Sequence, residues 1–539
     1  YSAIGDSMQF FLTIGDQAQS QRVIDIGHGD WASLPDIEQW YWAESLRSPT
    51  WPIAYKRGQR DHFGSTTSYL SEGEGITFND YVDDGDDGPF DDPLTTSNAW
   101  WDPAAPPAKL TVVVHGANSA SNGSLDDHKL HLSAGAAPYT QHDTVQWSAE
   151  KTIKFQFEIP GGGTGNTLPL NFDIVHDLPN LPVDYPDRQA VAYMRAVYPH
   201  LCGDNTFTGY SHQMDFPDDG NDIRLQIYMN WDPIIYVFGD TIRRVTTELA
   251  NGGYKNCRLP RTANSDMTHA FMTAPIAVHP VGALFPVNGT GYFNDYGAVN
   301  TDSALIIVTH PKLMNGALQY AQYREAPTTH NRYNTVVANV VELYQQFGGG
   351  ILRHPVAIRR FVKNLRDRFD TEPQGLFLIG KATPAARSGF GDGSGYRSMW
   401  PGDSVVRNMC LVPSFGYPPS DALLTMGLSG SHWDQTIPVG RLAARTNQQV
   451  IDYKNKVQEL EVQQETPAAW MKNVLHFRGG FTEGEALVFQ SYLSNYELIA
   501  EDTCFTGNVT QFVKNPDDFI SQASADSVYD LVNEGVTLM

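Results

Sequence analysis

Three stretches set an imidazole where it could do chemistry. "IGHGD" and "VVVHGA" place His28 and His115 beside glycine, and "VTHPKL" places His310 directly after the apolar run "ALIIV". A histidine so placed can move protons. No cysteine or serine partner is identifiable for His28 or His115, and both read as structural or surface residues. His310 falls at the edge where α/β sheets carry their chemistry, yet a lone histidine there also reads more simply as structural. The run "DDGDDGPFDD" offers carboxylate oxygens to calcium, with Asp83, Asp84, Asp86 and Asp87 as candidate ligands. Its order departs from an EF-hand, with Gly85 in the third ligand position and Leu94 in the twelfth, so a solvated acidic loop is the plainer reading. The sequence holds no zinc signature, phosphate loop, dinucleotide fingerprint or G-x-S-x-G elbow. Glycine-rich "GFGDGSG" (389–395) does not join a strand to a helix. The four cysteines, Cys202, Cys257, Cys410 and Cys504, are widely spaced, form no CxxC and leave the redox compartment open.

The elements that must position such groups change character along the chain. A length of 539 residues exceeds one core and implies three to four domains. Aromatics at 12%, with 47 Gly and 33 Pro, favour β-rich and loop-rich architecture over helical bundles. A net charge of −24 argues against a nucleic-acid partner. The one basic group, Arg353, Arg359, Arg360, Lys363, Arg366 and Arg368, reads as a solvated helix face. The apolar runs fall short of the roughly 20 residues of a membrane span. No signal peptide is visible and the first residue is Tyr1, so the chain reads as processed or as a fragment.

Residues 1–75 are mixed and aromatic, and "QWYWAESLRSPTWP" reads as loop-rich packing. Segments alternating with period two follow: "KLTVVVHG", "HKLHLSA", "TIKFQFEIP" and "LPLNFDIVH" predict an antiparallel β-sandwich over 76–205. "DIRLQIYMN" and "PIIYVFGD" predict further strands in a second β-rich region, 206–298. From residue 299 continuous apolar runs, "ALIIV" and "GLFLIG", predict strands of a parallel sheet covered on both faces. "HPVAIRRFVKNLRDRF" predicts an amphipathic helix with Ile358, Phe361, Val362, Leu365 and Phe369 on one face and Pro355 in its first turn. "TNQQVIDYKNKVQEL" predicts another, with Thr446 as N-cap. "NTVVANVVELYQQF" fits either a strand followed by a helical turn or a single helix. An α/β region over 299–460 and the start of a second over 461–539 complete the organisation. The chain ends on "DLVNEGVTLM": Val528, Leu531 and Val532 in helical spacing, Gly535 at C′, then Val536–Met539 as a new strand.

The ordered segments from "SALIIVTHPKLMNGALQYAQYRE" through "AIRRFVKNLRDRF" to "GLFLIG" resemble the gingipain-like cysteine peptidases, especially the PorU-type sortases of the type IX secretion system of Bacteroidetes. "LVPSFGYPPSDALLT" (411–425) and "IPVGRLAART" (437–446) occupy the places of the family's "SD" segment and "GRL" strand. Six elements in order across about 300–460 are far more specific than any one motif; over 1–298 the resemblance is only that of a β-rich region.

The resemblance implies a caspase-like α/β domain with a mainly parallel sheet and a Cys–His dyad. In that chemistry a thiolate attacks, an imidazole carries the proton and backbone N–H groups hold the oxyanion. The family's histidine follows a strand like "GVTLM" and its cysteine ends the next strand. Both positions are expected beyond Met539, which leaves the α/β domain incomplete and this chain alone inactive. Neither Cys410 nor Cys504 stands at the matching place. An acid that supports the family's histidine would fall at Arg478; Glu483 and Glu485 are the nearest acids, and His476 is the other polar residue on that strand. All three are weak candidates. The implied activity removes C-terminal sorting signals from secreted proteins and attaches the new terminus to a surface anchor. Secreted proteins bearing those signals and an outer-membrane barrel are the implied partners, the extracellular face of a Gram-negative outer membrane is the location, and no cofactor is required. The alternatives are a non-catalytic scaffold of the same secretion complex and a surface β-sandwich that binds carbohydrate, with Trp40, Trp42, Trp100 and Trp101 as stacking residues.

Overall fold

The structure is a computed structural model describing the chain apart from residues 1–8, 13–21, 35, 49–53, 56–75, 78–79, 83–88, 117, 119, 121–124, 140, 149–150, 162, 164, 183–184, 204–210, 263–264, 300–301, 327–331, 369, 384–407, 416–418, 430–433, 516–518 and 538–539. Two compact units divide it: residues 1–327 with 332–447, and residues 328–331 with 448–539.

In the first unit a ten-stranded, mainly antiparallel sheet is the backbone of the β-rich part. Ala108–Gly116 pairs with Thr152–Ile159 and with Arg188–Leu201. A four-stranded sheet that includes His128–Ala134, Gln141–Trp147 and Leu170–Ile174 covers this end. Leu110, Val112, Val114 and Phe155 of the large sheet meet Leu130, Leu132, Trp147 and Phe172 of the small one. The alternation seen in "TIKFQFEIP" belongs to this sandwich. Further along the same large sheet, Met214, Phe216, Ile235 and Tyr41 meet Ile223, Leu225, Cys257 and Leu259 of a three-stranded sheet. One long sheet therefore carries two cores.

The stretch expected to be loop-rich is a strand. Trp40–Arg47 runs in the middle of the large sheet, pairing with Arg188–Leu201 and with Ser211–Pro217. Tyr41 is buried in the second core, whereas Trp40 and Trp42 belong to the opposite face. Both faces are aromatic, so hydropathy shows no period of two even though the backbone has one.

From residue 304 the elements are numbered β1 to β6 and α1 to α6. In the first unit β1 (Ala304–Thr309), β2 (Asn334–Asn339), β3 (Gly375–Ile379) and β4 (Val439–Leu442) form an all-parallel sheet in the order β2-β1-β3-β4. Helix α1 (Met314–Glu325) crosses from β1 to β2, and its Tyr320 packs on Phe377 of β3. Helices α2 (Val340–Phe347) and α3 (Val356–Arg368) supply Leu343, Tyr344, Ile358, Phe361, Val362 and Leu365 to a core with Ile306, Val308, Val336 and Leu378. Ile358, Phe361, Val362 and Leu365 are the apolar face read from the sequence; Phe369 lies outside the described residues. The ambiguous stretch resolves at Asn339, whose side chain accepts the Val341 N–H at 3.0 Å and starts α2 directly after β2.

Beginning at the boundary of the units is α4 (Asn447–Glu465). In the second unit β5 (Asn473–Arg478), α5 (Glu483–Ala500), β6 (Asn508–Val513) and α6 (Gln522–Glu534) follow, with β5 and β6 parallel. Gly535 ends α6 at φ 108°, a backbone region that suits glycine. The strand expected at Val536–Met539 is not formed at Val536 and Thr537, and Leu538 and Met539 lie outside the described residues. The Thr537 N–H nevertheless donates to the Asn473 carbonyl at 2.9 Å, on the side of β5 away from β6. The architecture is multidomain: antiparallel β-sandwiches, then parallel α/β layers.

Candidate functional site

Chemistry in a doubly wound sheet gathers beyond the carboxyl ends of strands, where neighbouring connections leave in opposite directions. In the first unit that point lies between β1 and β3. The buried Thr309 hydroxyl closes it by donating to the Ile379 carbonyl at 3.0 Å. His310 follows, and its Nδ1 accepts the Lys312 N–H at 3.2 Å, capping the short turn that leads into α1. Burial, then the charges of Lys312 and Arg353, lower its pKa to about 4. The ring is neutral at pH 7 and acts as a cap.

The three motif segments that mark this part of the sequence meet on one loop at the same edge. Arg441 of "GRL" grips Asp421 of "SD" through Nε–Oδ2 at 2.6 Å and Nη2–Oδ1 at 2.7 Å. Its remaining donors reach the carbonyls of Gly380 (2.7 Å), Val412 (2.8 Å) and Pro413 (3.2 Å). All five guanidinium N–H groups are thereby used. The Ser414 hydroxyl donates to the second oxygen position of the same carboxylate, Asp421 Oδ1, at 2.8 Å. Arg359 of "AIR" donates to the Leu423 carbonyl at 2.9 Å and to that of Met426, and Arg366 to that of Leu428 at 2.8 Å. The basic group expected to be a solvated face is therefore divided. Arg359 and Arg366 are structural clamps because carbonyls at the ends of a folded loop need donors, while Lys363 stays outside, paired with Asp367.

The second unit repeats the topology. The segment after α6 enters beside β5 opposite β6, so the order β6-β5-Val536 matches β2-β1-β3. Its switch point is the carboxyl end of β5, at Arg478, Gly479 and Gly480. A Cβ on Gly480 would lie 2.7 Å from the Ala486 nitrogen, so the chain can pass the start of α5 only as glycine. Thr482 caps α5 by accepting the Glu485 N–H at 3.2 Å, and Glu485 returns to accept the Phe481 N–H at 2.7 Å. This pair is a variant of the capping box, with Glu485 taking the N–H of the residue before the cap, and T-x-x-E writes it in the sequence. It occupies Glu485 in holding the helix, and Glu483 stands exposed in the first turn, where the helix dipole favours a negative charge.

His476 sits two residues before the end of β5, in register with Gln511 of β6. Gln511 donates to Glu497 of α5 at 2.5 Å, which places this face of the sheet under the helix. Phe477 and Phe512 stack on the other face at 5.5 Å. His476 is buried, and its Nδ1 has no hydrogen-bond partner among the described residues. The structure thus brings Glu483, Glu485 and Arg478 to one edge and sets His476 within the sheet. Cys410 is buried before the segment whose Leu411 N–H donates to Lys381. Cys504 is exposed just before β6, at the amino end of the sheet and the wrong edge for this chemistry. Asp83, Asp84, Asp86 and Asp87 lie outside the described residues. His28 is exposed, and His115 is buried against the Thr152 hydroxyl at 2.8 Å.

Residues 298–539 match the model of peptidase family C25. The match covers both parallel α/β layers and the ordered motifs described above. Among solved structures, the dimeric latent PorU from Porphyromonas gingivalis is similar at 12% identity and a TM-score of 0.46, over 88% of this chain and 44% of that one. The present chain spans less than half of that protein's length. A GH2 β-galacturonidase from Eisenbergiella tayi bound to glycerol is similar at 7% identity and a TM-score of 0.17, over 89% of this chain and 82% of that one. No curated protein matches.

Proposed function

We propose that this chain belongs to a cysteine peptidase of sortase type in type IX secretion, which cleaves C-terminal sorting signals and joins the new terminus to an amine on a surface anchor. The observation that carries the reading is the match of 298–539 to peptidase family C25, within which β5-α5-β6 repeats the parallel β1-α1-β2 order and the glycine pair and capped start of α5 lie at the carboxyl end of β5. The resemblance would set the family's histidine at that edge, after a strand beside β5, with the cysteine following on the next strand. The thiolate would add to the scissile carbonyl, the amine of the released sorting signal would leave with the imidazole's proton, and the anchoring amine would resolve the acyl-enzyme. No cofactor enters either step. Secreted proteins bearing sorting signals and an outer-membrane barrel are the proposed partners, at the extracellular face of the outer membrane. Among the described residues no helix is long and apolar enough to cross a membrane.

The test uses the natural gene product with a protein carrying a C-terminal sorting signal and a glycine-peptide amine, read by mass spectrometry. The expected products are the released signal and the substrate joined to the amine, both absent when the predicted cysteine is replaced by Ala. Unchanged processing by that variant rejects the enzyme and leaves a scaffold with the same shell. One observation favours the scaffold reading: Glu485 is committed to the helix cap, while the resemblance puts Arg478 at the place of the supporting acid.

A further inference from the structure

The tryptophans clustered in the sequence part company in the fold. Trp101 stacks on Tyr198 at 6.4 Å and packs against the first sandwich core. Trp40 and Trp42 alternate with Tyr41 and Ala43, which contact the cores, and so belong to the other face of the large sheet. Trp40 meets Trp42 edge-on at 5.1 Å and Trp100 at 6.3 Å. Strand register extends this face. Trp42 lies opposite Asp215, Asp215 opposite His269, and His269 opposite Phe238. Residues directly opposite in a ladder share a face, so four adjacent strands give one row. Three strand spacings make that row about 14 Å long, enough for an oligosaccharide.

The row is aromatic at both ends and polar between them. Asp215 Oδ1 and His269 Nδ1 are 2.7 Å apart, and Gln213 donates to Asp215 Oδ2 at 3.1 Å. The side chain of His269 is 54% exposed and Phe238 is 42% exposed. An apolar partner would strip water from the Asp215–His269 pair and leave the second ring nitrogen of His269 and the remaining lone pairs of Asp215 without partners, at a cost. A sugar suits it: the C–H face of a pyranose packs on an indole or phenyl ring, and its hydroxyls donate to the carboxylate and accept from imidazole or amide. Asp215 and the chain's net charge of −24 oppose a polyanionic glycan.

We propose that the Trp42–Asp215–His269–Phe238 row binds a neutral or amino-bearing oligosaccharide, independently of the peptidase reading. The test titrates the purified chain with cellohexaose, mannohexaose, hexaglucosamine, a hexagalacturonate and a hydrophobic decapeptide, by calorimetry and tryptophan fluorescence. The expected result is saturable binding of at least one neutral or amino hexamer and none of the hexagalacturonate. Trp42→Ala and Asp215→Asn should each weaken it about tenfold or more, with unchanged circular dichroism. Asp215→Asn keeps shape and so separates recognition from folding. The proposal is overturned if no neutral or amino hexamer binds at millimolar concentration, if binding survives both substitutions, or if only the acidic sugar or the decapeptide binds.

Discussion

Replacing Arg441 by Ala is expected to destabilise the first unit's α/β layer by about 3 kcal/mol, the lower end of the cost of removing one partner of a buried ion pair, because this pair is part-buried. Side chains of Arg441 and Asp421 are 13% and 23% exposed, so little water is on hand to replace the lost partner. The Gly380, Val412 and Pro413 carbonyls lose their guanidinium donors at the same time. Arg441→Lys should recover only part of the loss, since an ammonium cannot form the two-pronged bond or span three carbonyls. Asp421→Asn should cost less than Arg441→Ala, because the amide oxygen still accepts. The measurement is hydrogen exchange at 411–428 together with the melting temperature. Wild-type protection there in Arg441→Ala would show that the clamp holds nothing.

The other large effect is expected at His128, which is fully buried in the first sandwich. Its Nδ1 lies 2.5 Å from Asp187 Oδ1 and its Nε2 lies 2.9 Å from the Asn118 carbonyl. Both neighbours only accept, so both ring nitrogens carry protons and the ring is an imidazolium. Asp127 Oδ1 stands 3.6 Å from Nε2. Burial pulls the pKa of this ring down. The hydrogen bond to Asp187, the charges of Asp187 and Asp127 and the Asn118 carbonyl overcome that and leave it raised above 6.5. A histidine raised on folding stabilises fully below its unfolded pKa of about 6.5, and that contribution is lost as pH rises through the folded value. His128→Gln is therefore expected to cost about 3–5 kcal/mol at pH 6 and progressively less in alkaline solution. Unfolding free energy measured against pH for both proteins checks it; a difference independent of pH would mean the ring is neutral. The same cluster pins the loop after Gly116, since Asp127 Oδ2 accepts the Ala120 N–H at 2.7 Å and Asn118 accepts that of Arg188 at 3.0 Å.

Much of the α/β layer was legible because its signals are local. "ALIIV" and "GLFLIG" are apolar throughout since both faces of β1 and β3 are covered, and they are neighbours in one sheet. The spacing of Ile358, Phe361, Val362 and Leu365 showed the buried face of α3 for the same reason. The strand Trp40–Arg47 was illegible because aromatic residues on the outward face hide the alternation. The clamp of Arg441 on Asp421 spans twenty residues of loop and strand and leaves no periodic trace; only two opposite charges inside motif segments hinted at it. Glu485 stands in the sequence as one of the acids nearest Arg478, while its T-x-x-E spacing from Thr482 spells a helix cap. The candidate site was legible as a place, the carboxyl edge of β5, more than as a set of reacting groups.

Under the function proposed above, residues 298–539, which match peptidase family C25, are a shell whose nucleophile is none of the four cysteines. Burial raises the thiol pKa of Cys202 and Cys257 well above the ordinary range, Cys410 is buried, and Cys504 stands at the amino end of β6. The most direct measurement exposes the 539-residue chain to an acylating thiol probe built on a sorting-signal peptide and follows both peptide turnover and the site of labelling by mass spectrometry. The account predicts no turnover and no acyl adduct at Cys202, Cys257, Cys410 or Cys504. Turnover with an acyl adduct on Cys410 or Cys504 would contradict it.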